Sequence, residues 1–532
     1  MSELDVIIIG SGFGGAVTAC RLAEEKGMKV LLLERGRRWK REEYPRDRAD
    51  AWLWNPSRPQ ECNGWFEFRV FKHMVVVQGA GVGGGSLVYA NVSIEAEDFL
   101  FNQGWPPEIT MATLAPYYAR VGKMLNVQKL PLRQATRRFE IMKTAADALG
   151  YRTRFRPLDL AVSFDPDYDP ASLPDPYDPK HSKEFINAEG IKQGTCVHCG
   201  DCDIGCAVQA KNTLDLNYIP RAEKHGAEVR ALHLVDCITP LDSHGYRVDF
   251  RRIENGRLIA GHETANRVIV AAGSMGSTEL LLRCRDQYKT LPHLSNFLGH
   301  NWSSNADFLT PAFHDPAHPV SPTHGPTITA AIDFLDGLVD NQQFFIEDGG
   351  FPPILNNYIQ AVLDRPHRDP RVAALFKWLR DKLGPRIRGS DPLKNAMPWF
   401  SQGIDSADGQ LSLRRPWFAP WRRHLELDWD IARSEYVIEA IIRMHERLAA
   451  ATGGTPFVPP TWTLFKTLIT PHPLGGCNMG VSPENGVVDH RGEVFGYKNL
   501  YVADGSIIPE AIGLNPSKTI AALAERIADL MW

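Results

Sequence analysis

Long hydrophobic runs are missing from this sequence. No stretch approaches the ~20 apolar residues that a membrane-crossing helix needs, and the C-terminal ALAERIADLMW carries charges at helical spacing, so a helical span is excluded. A long basic tract is missing too, and acidic and basic residues nearly cancel, to a formal charge of -4. Nothing in the charge draws the chain to a polyanion, so no nucleic acid partner is expected. Met1 to Asp5 run directly into VIIIG without a basic segment or a small-residue cleavage site, which makes the cytoplasm the expected location. Cysteine is scarce. The nine residues make an odd number, and Cys20, Cys62, Cys237, Cys284 and Cys477 stand apart in sequence, which excludes a disulfide framework.

What is present is an ordinary globular composition, 43% hydrophobic, in a chain of 532 residues. That is longer than one core usually spans, so at least two packed regions are expected. Residues 5–9 form an apolar run ending in GSGFGG. AVTACRLAEEKG follows with apolar residues at helical spacing, and KVLLLERG reads as a second buried strand. Together they make a βαβ unit. Gly10, Gly12 and Gly15 permit a tight turn, close approach of a pyrophosphate and helix packing, and Glu34 ends the second strand where a carboxylate can hold ribose hydroxyls. This motif alone does not choose between NAD and FAD. A second glycine-rich loop, QGAGVGGGSLVYANV (78–92), and a strand running into Asp504 and Gly505 in NLYVADGSIIP (499–509) spread three glycine sites over the chain. Such a spread suits a large, enclosed cofactor, so FAD is preferred.

Seven stretches carry a family resemblance: GSGFGGAVTACRLAE, GVGGGSLV, KNTLDLNYIPRAEKHGAEV (211–229), VIVAAGSMGSTELLLR (268–283), LGHNWSSNAD (298–307), HPLGGC (472–477) and GYKNLYVADGSIIPEAIGLNPSKTIAALAER (496–526). The chain resembles the glucose-methanol-choline (GMC) flavoprotein oxidoreductases, and within them the cholesterol oxidase branch. The resemblance implies an α/β fold, a Rossmann-type FAD-binding domain with a second α+β substrate domain on an antiparallel sheet. It divides the chain into FAD-domain segments 1–130, 196–310 and 463–532, a variable loop and substrate-region segment 131–195, and a substrate-binding domain 311–462. The FAD contacts it implies are Gly10, Gly12, Phe13, Gly14, Gly15, Glu34, Gly84, Gly85, Ser86, Val229, Asp504 and Gly505. The glycine-rich loop contains no histidine, so FAD is expected to be non-covalent.

The resemblance makes His472 and Asn515 the catalytic pair. Alcohol oxidation needs a base for the hydroxyl proton while hydride leaves the same carbon; a histidine titrates in the right range, and an amide orients the substrate oxygen. Both side chains must then face one cavity. The implied reaction takes a bulky, apolar, sterol-like secondary alcohol to a ketone and passes electrons to O2 or another acceptor. The alternative is a flavin and iron–sulfur protein that relays electrons or senses redox state without turning over an alcohol.

Sterol oxidases of this kind use a glutamate to shift the steroid double bond. In FFIEDGGFPPILNN (344–357) that position is read near Asn356, and Glu347 is read as lying in an IEDGG turn, either as a replacement or as a turn residue. Tyr89 stands where relatives carry a smaller polar residue near the isoalloxazine. The Asp- and Pro-rich segment 164–179 is an irregular loop, either a lid or a solvated excursion. DPRVAALFKWLRDKLGPRIR (369–388) reads as a basic amphipathic helix, which packs on its own domain or rests on an anionic lipid surface as a peripheral membrane contact. Trp378, Trp399, Phe400, Trp417, Phe418, Trp421 and Trp462 suggest a large apolar cavity.

CVHCGDCDIGC places Cys196, Cys199, Cys202 and Cys206 in the C-x2-C-x2-C-x3-C spacing of bacterial ferredoxins, with Ala207 where proline usually follows. Two readings stay open, an iron–sulfur cluster or plain thiols that are reduced or disulfide-bonded. Zinc is disfavoured, because its tetrahedral sites usually pair two knuckles across a longer loop.

Overall fold

The structure is a computed structural model that describes residues 4–242, 244–356, 391, 393–415 and 423–531. The segment 369–388 and Trp378, Trp417, Phe418 and Trp421 lie outside the described residues.

The N-terminal unit forms as its pattern dictates. Strand β1 (Leu4–Ile9) and strand β2 (Val30–Leu33) pair in parallel, Val6 opposite Val30 through Ile9 opposite Leu33. Helix α1 (Phe13–Glu24) crosses between them. Parallel strands joined by helices bury both faces, which is why VIII and VLLL are unbroken apolar runs rather than alternating ones. Further along the sheet, Glu228–Arg230 adds to β2, the long strand Arg257–Val270 adds to β1, and Leu500–Val502 joins Arg257–Val270 in parallel. An antiparallel extension, Tyr246–Glu254 and His233–Pro240, completes the seven strands. This sheet is therefore assembled from both ends and the middle of the chain. A buried ion pair ties the ends: Arg21 on α1 donates from Nε to Glu525 Oε2 at 2.8 Å, and the Tyr218 hydroxyl donates to Glu525 Oε1 at 2.7 Å.

The second sheet has six strands, all antiparallel, in the order Thr455–Pro456, Phe308–Phe313, Ala396–Gly403, Gln342–Asp348, Ala330–Val339, Phe155–Pro157. The helix Ile431–Ala451 backs one face and buries Val437, Ile438, Ile441 and Met444 there. Opposed residues of an antiparallel pair project to the same side. Leu309 opposite Phe400, and Phe400 opposite Glu347, therefore form one row across the sheet. Leu309 and Phe400 of that row line a cavity between the two sheets.

Here the structure corrects the turn reading of Glu347. The strand runs through Asp348, so Glu347 is a fully buried ladder residue rather than part of the turn that follows. Asn356 lies beyond that turn and donates to Asp391 Oδ1 at 2.9 Å. The Asp- and Pro-rich segment 164–179 contributes no residue to the cavity wall. It packs on its neighbours instead, Tyr168 stacking on His198 and Tyr177 on His324. Trp399 and Trp462 are core residues, and of the aromatics singled out in this half only Phe400, among the described residues, reaches the cavity.

Candidate active site

The cavity holds about 810 Å³, at the large end of the range for small-molecule sites. One end is built by the β1–α1 turn. Gly10 sits at φ +100°, and a Cβ there would meet Ala271 O at 2.4 Å. Gly14 is packed against the 503–504 backbone so closely that a Cβ would fall 1.4 Å from Ala503 O. Only glycine lets these chain segments meet. Helix α1 opens at Gly12 with no side-chain cap, so the first N–H groups of the helix have no internal partner and face the cavity wall. Gly85 lines the same wall, and a Cβ there would meet nothing within 4 Å. Glu34 also lines this end; its carboxylate accepts from Ser11 N at 3.1 Å, Ser11 Oγ at 2.7 Å and Gly36 N at 2.8 Å.

At the other end the cavity reaches His472 and Asn515. The strand Leu468–Thr470 stops at Pro471, and Pro473 follows His472, so the imidazole is held on an extended segment. Asn515 precedes Pro516, which caps the helix Ser517–Leu530. The His472 N–H donates to Thr470 Oγ1 at 2.9 Å, and its Nδ1 lies 2.9 and 3.1 Å from the two carboxylate oxygens of the fully buried Asp307. Burial alone would lower the imidazole pKa, but the charge and hydrogen bond of Asp307, with the charge of Glu347, outweigh it and hold His472 above its ordinary value. Asn515 Nδ2 approaches Glu347 Oε2 at 3.4 Å, and Gln402 Nε2 donates to the same oxygen at 2.8 Å. Burial raises the Glu347 carboxyl to about 7 against the opposing pull of Gln402, His472 and Asn515. Glu347 Oε1 and Asn515 Oδ1 have no partner, so both retain accepting capacity.

Residues 405–524 match the GMC oxidoreductase family and residues 8–44 the NAD(P)-binding Rossmann-like domain. A cholesterol oxidase of Acinetobacter baumannii is 33% identical over 555 aligned positions, covering 98% of this chain and 93% of that protein. The chain belongs to the GMC oxidoreductase family. A cholesterol oxidase of Mycobacterium tuberculosis is 32% identical over 99% of this chain and 91% of its own length. Among solved structures, a formate oxidase of Aspergillus oryzae RIB40 superposes with a TM-score of 0.64 at 13% identity, covering 99% of this chain and 98% of that one. Pyridoxine 4-oxidase from Mesorbium loti superposes with a TM-score of 0.61 at 16% identity, covering 99% of each chain. At those identities the likeness is one of fold.

As a GMC oxidoreductase the chain is an FAD-dependent enzyme acting on CH–OH donors, and its residues fit that cofactor. The uncapped α1 terminus and Gly12 suit the pyrophosphate, Glu34 suits the ribose, and open space beside Gly85 suits close approach of the ring system. When bound, FAD supplies the two-electron acceptor for the hydride of the alcohol. Of the contacts implied by sequence, Gly10, Gly12, Phe13, Gly14, Glu34, Gly84, Gly85, Asp504 and Gly505 line the cavity; Gly15, Ser86 and Val229 do not. Gly15 packs on the Gly10 carbonyl. The Ser86 hydroxyl donates to Gly83 O at 2.7 Å and accepts from Leu214 N at 3.0 Å, and Val229 is a ladder residue opposite Leu32. The Asp504 carboxylate is taken up by Gly273 N, Ser277 Oγ and both donors of Ser506, so it shapes the wall rather than reaching into the cavity. Tyr89 lines the cavity, stands edge-on to Phe13 and donates its hydroxyl to Asn212 O at 2.9 Å.

The structure does not support a metal reading of the cysteine loop. Cys196, Cys199, Cys202 and Cys206 are free thiols, and among the described residues no three His, Cys, Asp or Glu side chains converge to hold a metal ion. The iron–sulfur reading and the relay built on it therefore lack their ligand set. The loop is anchored through its backbone instead: Lys211 Nζ donates to Cys202 O at 2.5 Å and to Leu87 O at 2.8 Å, and Trp65 Nε1 donates to Asp203 O at 3.2 Å. Burial, together with the neighbouring cysteines of the run, pushes the thiols of Cys196, Cys199 and Cys202 up. Spacing found four sulfurs close in sequence but could not report the backbone path between them. Asp307 was missed as a member of the site and Glu347 was left between two readings, because their partners lie 165 and 168 residues away.

Proposed function

We propose that the substrate is a sterol-like secondary alcohol, oxidised to a ketone with O2 as the electron acceptor. One observation carries the reading. The cavity that reaches His472 and Asn515 is walled by Leu309, Ile328, Phe351 and Phe400, a surface suited to a bulky apolar ring system rather than to a sugar. The relatives that are about one-third identical over the full chain are named cholesterol oxidases, which supports both the substrate class and the acceptor. In this reading His472 Nε2 takes the hydroxyl proton and Asn515 Nδ2 donates to the substrate oxygen.

A second step is supported by Glu347. A buried carboxyl that titrates near 7 can remove and return a proton, which is what moving a β,γ double bond into conjugation with a new ketone requires. Isomerisation, left open by the sequence, therefore belongs to the reading. Anaerobic mixing with a 3β-hydroxy-5-ene sterol should bleach the flavin and yield the conjugated ketone, with Glu347→Gln releasing the unconjugated one. Bleaching by simple sugars but not by sterols would refute the substrate class.

The working place is proposed as the cytoplasm, in contact with a lipid surface. All nine cysteines are free thiols, which suits a reducing compartment. Strand β3 (Phe66–Val70) and strand β4 (Met74–Gly79) form a small sheet with Leu468–Thr470. Phe68 (50% exposed), Val70 (73%) and Ile469 (51%) face outward from it. Phe66, Val77 and Ile469 continue that face into the cavity wall, and Lys72 is exposed at the hairpin tip. An apolar face continuous with the mouth of an apolar cavity suits docking on the bilayer that dissolves the substrate.

A further inference from the structure

Asn305 and Ala306 both adopt left-handed backbone, at φ +57° and +47°, just before the strand Phe308–Phe313 begins. Neither is glycine, so the surrounding contacts hold this turn in a sparsely populated conformation. Those contacts reach His472 and the backbone just before Asn515. Asn305 Nδ2 donates to Leu514 O at 2.9 Å, and its Oδ1 accepts from Ile512 N at 3.1 Å and Gly513 N at 2.9 Å, gripping the segment that carries Asn515. Two residues on, Asp307 straddles His472 Nδ1 with both oxygens. Thr470 Oγ1 accepts the His472 N–H and lies 2.5 Å from Asp307 Oδ2, so ring, hydroxyl and carboxylate form a closed set.

A carboxylate only accepts hydrogen bonds, so His472 Nδ1 must carry the proton and Nε2 the lone pair. The ring is 17% exposed while Asp307 is fully buried, which leaves the other edge of the imidazole as the one open to the cavity. We propose that Asp307 is a positioning residue of the oxidation: it fixes His472 with Nε2 as the proton acceptor and holds the imidazolium formed when the alcohol proton arrives. In that step the alcohol O–H bond breaks and its proton moves to Nε2. The C–H bonding pair leaves as hydride for the flavin acceptor, and the oxygen electrons close the C=O bond. Proton and hydride together account for both hydrogens lost by the alcohol. The charge of Asp307 keeps the transient cation paired throughout.

The groups facing His472 are Asp307 from the turn, Glu347 from the strand Gln342–Asp348, Thr470 from its own strand, and the Phe400 ring at 6.2 Å. Asp307 and Glu347 both raise the imidazole pKa, and the neutral ring is the working base. Removing the Asp307 charge lowers that pKa, so Asp307→Asn shifts the acid limb of the flavin-reduction rate to lower pH while the plateau falls. Loss of cation pairing should cost the plateau on the order of 10²-fold or more, with the alcohol dissociation constant little changed. Stopped-flow reduction across pH, with Glu347→Gln to separate the second carboxylate, reads both effects. An unmoved acid limb with an unchanged plateau overturns the proposal. If Asp307→Asn does not fold, ¹⁵N-histidine NMR of the wild-type protein, assigned through His472→Gln, decides instead. Protonated Nδ1 with bare Nε2 upholds it, and the opposite tautomer overturns it. A wild-type protein that no alcohol reduces would refute the proposed function and leave this tautomer measurement standing.

Discussion

At the scale of single residues, the site is a balance between burial and charge. Glu347 is fully buried, and its carboxyl titrates near 7 in the fold against about 4.5 in the unfolded chain. A raised carboxyl pKa means the folded state prefers the proton, so its contribution to stability is complete below pH ~4.5 and is lost as pH rises through 7. The shift corresponds to roughly 3 kcal/mol, taken as an order of magnitude. Glu347→Gln keeps the shape without the ionisation, so the mutant should gain stability over the wild type progressively from pH 5 to 8 in thermal melts. Equal pH dependence in both proteins would show that Glu347 ionises without penalty. Local sequence left this residue open between a substitute for the isomerising glutamate and a turn residue. IEDGG carries the glycine pair that usually marks a turn, and what keeps Glu347 in the strand is its pairing with Phe400, 53 positions on.

At the scale of elements, the β1–α1 unit was legible because its signals are local: apolar runs, a glycine turn and a helix-period face within thirty residues. Its glycines nevertheless do different work. A Cβ on Gly14 would strike the Ala503 backbone, whereas one on Gly85 would enter open space at the cavity wall. Gly14→Ala should therefore fail to fold or lose several kcal/mol of stability. Gly85→Ala should fold normally yet bind FAD more weakly, by ten-fold or more in a flavin-release titration. Full FAD affinity in Gly85→Ala would remove that loop from the cofactor wall. The helix that backs the second sheet was not foreseen as such, since that half of the chain was read through its aromatics and loops rather than through the strands they pack on.

At the scale of the whole molecule, the exposed apolar face of the β3–β4 sheet is continuous with the cavity wall through Phe66, Val77 and Ile469, which is where the proposed lipid contact is tested. Phe68→Asp combined with Val70→Asp should leave turnover of detergent-dispersed sterol near wild type, because neither side chain lines the cavity. The same variant should lose most sedimentation with sterol-containing anionic vesicles, since two charges replace two apolar contacts. Equal vesicle binding by both proteins would place the lipid contact elsewhere.

The linear chain by itself determined the dinucleotide frame and the family, because each rests on motifs whose spacing is fixed over a few turns of backbone. Only the tertiary structure decided that Glu347 stands behind Asn515 and that Asp307 grips His472. Those outcomes depend on which strands meet across more than a hundred intervening residues. Sheet pairing and burial settle that, and no local pattern records it.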